Sequence, residues 1–322
     1  MNELKSKRLK MNLTHEMLER LEKLEEKFAA MGQDMASYLD GLLYADYLTY
    51  WDYVHLDTLL SLQNPKTPIP DEETFIIYHQ ITELYFRLVL NAVEVLVEAD
   101  TVTLELFKRQ MKRINNYFNH LVDSFSIMID GMEREQFLKF RMSLLPASGF
   151  QSAQYRMIEI VSTDFRNLVH HTKREGLPME MPYSRMYELL YWKTGATELA
   201  TGKKTLTLKQ FEAKYSKELI ELAEQYRHCN LLRLYHNLPK EDQQDKDLIE
   251  LLQLYDISAN VRWPLAHLRS AAKYLDRKPE IIAATGGTNW QKYLPPKNQR
   301  LIFYPELYDE EILANWGQRV EM

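Results

Sequence analysis

The chain has 322 residues, 40 basic against 46 acidic side chains and a net charge of -6. That length suits one large domain or two ordinary ones, and the charge balance lacks the field that would draw nucleic acid or an anionic membrane, so a small-molecule ligand is the expectation. Only 10 residues are glycine, too few for α/β or all-β folds rich in tight turns and phosphate loops, and the fold class expected is all-α. The single Cys229 excludes an intramolecular disulfide, the opening Met1 to Arg8 is not followed by an unbroken apolar run, and no window approaches ~18 apolar residues. A cytoplasmic protein without a membrane span is expected.

Taken in chain order, Leu18, Leu21, Leu24 and Phe28 recur at helical spacing behind a candidate cap at Thr14, with Glu16 in the first turn. Helical periodicity continues from Met35 to Gln63 through Tyr44, Tyr47, Tyr50, Trp51 and Tyr53, and three prolines between Pro65 and Pro70 end it. Asp71 is expected to cap a long helix to about Glu98, antiparallel to one from Thr103 to Ile129. A short helix from Glu133 to Leu145 follows, then one from Gln151 to His171 capped by Ser148. Beyond a polar loop at Arg174 to Pro182, helices are expected over Ser184–Thr194, Leu208–Leu234, Lys246–Leu275 and Asp309–Trp316. Without a repeat or a linker, residues 1–322 read as one domain whose first forty residues form a helical extension suited to packing on its own subunit or, as the favoured expectation, on a neighbouring one.

The chemistry-bearing residues are sparse. Among nine histidines none lies in a His-Glu-x-x-His pattern, and there is no phosphate loop, Gly-x-Ser-x-Gly elbow or paired-cysteine motif. His79 stands out because Phe75, His79 and Glu83 share one helix face among aliphatic and aromatic neighbours. Two readings remain open for it: a histidine satisfied within the core, or one lining a pocket. Thr285-Gly286-Gly287 likewise reads either as an ordinary turn or as an anion-holding loop.

Four segments together resemble the tryptophan 2,3-dioxygenase family: Leu48 to Gln63 with its Tyr-Trp-Asp-Tyr core; Phe75 to Phe86; Phe137 to Arg141 running into Ala147 to Arg156; and the late His267 followed by Thr285-Gly286-Gly287. The resemblance implies a mostly helical homotetramer, a dimer of dimers, with one haem b per subunit and L-tryptophan and O2 as substrates. His267 matches the axial iron ligand, which suits a neutral imidazole. His79 matches the distal histidine that faces the indole N–H. Phe75 and Phe137 match walls of the indole pocket, Arg141 the arginine that holds the substrate carboxylate, and Thr285 the threonine that meets its ammonium. Tyr50, Tyr53 and Val54 match positions that reach the neighbouring subunit's pocket.

The chain departs from the family pattern at Pro264, expected to remove a helix hydrogen bond three residues before His267, at Ala284, and in a longer stretch from His267 to Thr285. Two rival readings accompany these departures. One is a haem-dependent oxygenase or hydroxylase of another aromatic amino acid or indole; the other is a non-catalytic haem-binding or sensing protein.

Overall fold

The computed structural model describes residues 14–45, 48–144, 149–178, 180–196, 203–277, 280–281 and 294–318. The fold is all-α as expected, apart from a two-stranded antiparallel hairpin, β1 (Asp276–Arg277) with β2 (Glu280–Ile281), that periodicity did not announce. The chain divides into two compact units, Met1–Leu62 and Gln63–Met322. No helix among the described residues is long and apolar enough to cross a membrane.

In the first unit, α1 (His15–Ala30) begins where Thr14 accepts from the Met17 N–H, and α2 (Met35–Leu43) begins where Asp34 accepts from Ala36 and Ser37. They touch through Phe28 and Tyr38, rings stacked 4.0 Å apart. The helix expected over Met35–Gln63 is broken: only the single turns α3 (Tyr50–Tyr53) and α4 (Leu56–Leu59) follow, with His55 between them in the left-handed region at φ 51°. Local capping outcompetes propagation here, since the Thr49 side chain accepts from the Asp52 N–H and so starts a new turn. No described residue of this unit is buried.

The second unit is built on α5 (Pro70–Val97) and α6 (Leu104–Asp130). The pairing of Tyr78 with Phe125 and of Tyr85 with His120 runs in opposite sequence order, so the two helices are antiparallel. Helix α5 starts one residue before the expected Asp71, because Pro70 is preset for the first helical position. Asp71 instead accepts from the Glu133 N–H at 2.7 Å, tying the start of α5 to the segment after α6. Buried Glu72 accepts from the N–H groups of Lys66 and Thr67, both at 2.7 Å, and thereby secures the proline-rich turn. Gly131 ends α6 where a Cβ would lie 2.5 Å from the Ile127 carbonyl oxygen.

The later helices are shorter than their patterns suggested. Helix α7 (Arg134–Phe140) passes into a 3-10 turn at Arg141–Leu144. Helix α8 (Ala153–Ser162) is capped by Ser152, whose hydroxyl accepts from Tyr155, and ends well before His171; Ser148 lies outside the described residues. The expected Ser184–Thr194 helix is two turns, α9 (Tyr183–Tyr187) and α10 (Tyr191–Gly195). The Leu208–Leu234 helix is α11 (Leu206–Gln225), a 3-10 turn and α12 (Leu231–Asn237), the break falling where Asn230 caps anew by accepting from Arg233. Capped by Asp245, α13 (Lys246–Ile257) joins α14 (Trp263–Leu275) through a π-helical turn over Ser258–Arg262. The wider turn precedes Pro264, whose ring would crowd the preceding turn of a regular α-helix and which has no N–H to donate. Glu310–Ala314, capped by Asp309, closes the fold.

The main core gathers Val89, Leu96, Phe107, Met111, Ile114, Phe118, Leu252 and Phe303 among its fully buried members. A second, smaller core of Tyr78, Phe125, Met128, Phe137, Phe140, Ala266 and Tyr274 lies where α5, α6, α7 and α14 meet.

Candidate active site

The smaller core is where the chain concentrates aromatic rings and imidazoles. Helix α5 contributes Phe75, Tyr78 and His79 at spacings that put Phe75 one turn below His79, with ring centroids 4.1 Å apart. Phe75 also meets Phe137 at 6.2 Å and Phe140 edge-on at 5.7 Å, so the end of α7 closes one side. From α6, Phe125 packs on Tyr78 at 5.7 Å and stacks on His267 of α14 at 6.0 Å and 21°. Phe137 meets Tyr274 at 4.7 Å, and the Tyr274 hydroxyl donates to the carbonyls of Met128 and Met132, which fixes α14 against the end of α6.

Both imidazoles are held neutral. The His79 ring keeps an exposed edge, yet burial is the main influence lowering its basicity, opposed by the Phe75 carbonyl and the Glu83 carboxylate. Its Nδ1 lies 2.7 Å from the Phe75 carbonyl oxygen, which can only accept, so Nδ1 carries the proton and the neutral ring leaves Nε2 as a bare acceptor. Burial, then the field of His79, pushes His267 down to about 4. An unprotonated imidazole is a metal ligand rather than a cation.

Arg141 directly follows Phe140 and is buried, in contrast to Lys139 and Arg134, which are not; burial lowers its guanidinium pKa. Behind α5, Gln154 of α8 donates its Nε2 to the Glu83 carbonyl at 2.9 Å and to the Glu83 carboxylate at 2.8 Å. It thereby holds the acidic group one turn beyond His79.

The structure therefore gathers Phe75, His79, Phe137 and His267 into one cluster with Arg141 at its edge. Tyr50 and Tyr53 lie in the first unit, 72% and 74% exposed, with Val54 half-buried beside them. Thr285 and Ala284 lie outside the described residues. Sequence reasoning passed over Tyr78, Phe125, Phe140 and Tyr274, although Leu121, Phe125 and Met128 continue the apolar stripe already visible on α6.

The neutral His267 imidazole, stacked on Phe125, fits the donor that a haem iron takes.

The profile of the family described as tryptophan 2,3-dioxygenase matches residues 7–175. The chain is 39% identical over 132 residues to the tryptophan 2,3-dioxygenase of Ruegeria sp., an alignment covering 40% of this chain and 45% of that protein. It is 39% identical over 125 residues to tryptophan 2,3-dioxygenase 2 of Ralstonia nicotianae, 35% of this chain and 34% of the relative. Against the tryptophan 2,3-dioxygenase of Bacillus thuringiensis (strain Al Hakam) it is 35% identical over 113 residues, 35% and 40% of the two chains. The chain thus spans less than half the length of these curated relatives, and His267 and Thr285 fall beyond the matched segment. That segment nevertheless exceeds half of the 322 residues and includes Phe75, His79, Phe137 and Arg141, so the chain belongs to the tryptophan 2,3-dioxygenase family.

Proposed function

We propose that this protein is a haem-dependent dioxygenase that inserts both atoms of O2 across the indole C2–C3 bond of L-tryptophan to give N-formylkynurenine, the first step of tryptophan catabolism by the kynurenine route. The observation that carries this reading is the presence of two neutral imidazoles, His79 on Phe75 and His267 on Phe125, at one aromatic cluster. Haem b would be held through the His267 imidazole, and when bound it would supply the iron chemistry that activates O2.

The chain's own residues bind and orient the substrate. His79 accepts the indole N–H at Nε2, the nitrogen left free once Nδ1 is committed to its own helix. Phe75 and Phe137 wall the indole and exclude water. Arg141 presents a planar guanidinium to the carboxylate, where burial strengthens a bidentate pair, and Thr285 meets the ammonium. Orientation of the zwitterion by these groups is the protein's main contribution to rate. In a homotetramer, a dimer of dimers located in the cytoplasm, Tyr50, Tyr53 and Val54 complete a neighbouring subunit's pocket; their exposure supports that role.

The test is aerobic turnover of L-tryptophan by the reduced, haem-loaded protein, followed at the N-formylkynurenine absorbance. A filled haem site without that product refutes the reading, and a hydroxylated product would replace it with the hydroxylase alternative.

A further inference from the structure

The segment between α8 and α9 gathers His170, His171, Lys173 and Arg174, and among the described residues none of the four forms an ion pair with the segment's own acids, Asp164, Glu175 and Glu180. His170 and His171 stack with ring centroids 4.5 Å apart. Arg174 donates its Nε to the Val169 carbonyl at 2.7 Å and its Nη2 to the Arg300 carbonyl at 3.3 Å. Arg300 in turn donates its Nη2 to the carbonyls of Leu313 at 3.0 Å and Ala314 at 3.4 Å. The other groups facing this cluster are the exposed Lys173, the Thr172 hydroxyl 2.9 Å from His170 Nδ1, and the Gln299 backbone beside His171.

Each guanidinium has five N–H donors, and these bonds use two of Arg174's and a single nitrogen of Arg300. Elsewhere in the fold Lys108 meets Asp245 and Asp247, and the exposed Arg233 meets Asp164. Among the described residues neither Arg174 nor Arg300 makes an ion pair, in a chain with six surplus acidic groups. Carbonyl dipoles orient the guanidinia but leave their charge uncompensated.

We propose that Arg174 and Arg300, with His170 and His171, form a binding site for a compact oxyanion of the phosphate class. The site is separate from the smaller aromatic core, since none of its residues belongs to that cluster. Burial, then Arg300, pushes Arg174 down to about 10, and burial followed by the cationic neighbours lowers both histidines. A planar guanidinium pair suits bidentate contact with phosphoryl oxygens.

The haem-loaded full chain is titrated with inorganic phosphate, and in a parallel arm with glycerol 3-phosphate, against chloride at constant ionic strength. Binding is followed by calorimetry and by the ring 15N shifts of His170 and His171. Saturable binding with a midpoint below about 1 mM is expected, together with displacement of both ring signals. Equal response to the monoester would assign the site to a phosphoryl group on a larger metabolite; a response to phosphate alone would assign it to the free ion. Arg300→Gln should weaken binding at least tenfold, and if it compromises folding, His170→Asn should weaken it severalfold. Non-saturating titration, an equal response to chloride, or unchanged affinity in a folded variant overturns the proposal.

Discussion

Asp256 offers the sharpest test of how the helix carrying His267 is held. It is fully buried at the end of α13, and its carboxylate accepts from the Phe303 N–H at 3.0 Å, the Tyr304 N–H at 3.1 Å and the Asn260 amide at 2.7 Å. It thus ties the C-terminal segment to the π-turn that precedes α14. Replacing Asp256 with Ala leaves three buried donors without an acceptor, and at about 1 kcal/mol or more each the loss is at least ~3 kcal/mol. Opposing this is the carboxyl's own burial, which outweighs its donors and raises its pKa from 3.8 to about 7. The sign follows from proton counting. Between these two values the unfolded chain has released the proton and the folded chain still holds it, so this group's contribution to stability falls as pH rises, by about 4 kcal/mol across the whole window. The Ala variant lacks that slope. At pH 5 it should be less stable by about 3 kcal/mol, roughly 4–6 °C in Tm for a chain of this size, and the gap should narrow towards pH 8. Thermal unfolding of both proteins at pH 5, 6, 7 and 8 measures it. A gap under about 1 kcal/mol at pH 5, or one that grows with pH, refutes the clamp and its electrostatics.

Other perturbations separate scaffold from site. The Arg156–Glu159 pair, 3.1 Å apart and buried with the Tyr191 hydroxyl donating to Glu159 at 2.5 Å, should cost about 3–5 kcal/mol when Glu159→Leu strands the arginine. Adding Arg156→Met should recover most of that in urea unfolding. In the haem-loaded protein, His267→Ala should lose the Soret band, whereas Arg141→Ala should keep it and weaken L-tryptophan binding by roughly 10- to 150-fold, the equivalent of about 1.5–3 kcal/mol for a charge-assisted contact. Retained tight binding would exclude Arg141 from the carboxylate role. Gln154→Ala should raise the KM for L-tryptophan severalfold while leaving haem content unchanged, because it releases the Glu83 carboxylate behind His79; an unaltered KM would show that Glu83 needs no such anchor.

Much of this architecture could be read in advance, and the failures have local causes. The antiparallel α5–α6 pair was legible because amphipathic stripes persist over seven turns. The break at Ser258–Arg262 was not, because Ser258, Ala259, Asn260 and Val261 are all buried, and a segment buried all round carries no periodic record of its register. Helix starts at Ser152 and Asn230 were hidden for another reason: one hydroxyl or amide accepting from a nearby N–H fixes a boundary that apolar spacing leaves open. Arg141 looked like surface beside Lys139. Its burial follows from α7 tightening into a 3-10 turn after Phe140, which carries the next side chain inward.

The division of the interior into two cores explains why the smaller one can be both aromatic and equipped with titratable rings. The main core, filled by aliphatic and aromatic side chains of α5, α6, α8, α11 and α13, supplies most of the burial that stabilises the second unit. The smaller core borrows α5 and α6 from it and adds α7 and α14, with Trp263 packed against both clusters. Residues of the smaller core therefore sit on helices already fixed by contacts elsewhere along their length. His79 lies one residue from buried Tyr78, and Val89, Val93 and Leu96 anchor the same helix in the main core. Under that arrangement an imidazole can be kept neutral and half-accessible without the fold depending on it, and α14 is positioned at one end by the Asp256 clamp and at the other by Tyr274. The position of His267 against Phe125 is thus set by polar contacts that lie outside the space it faces.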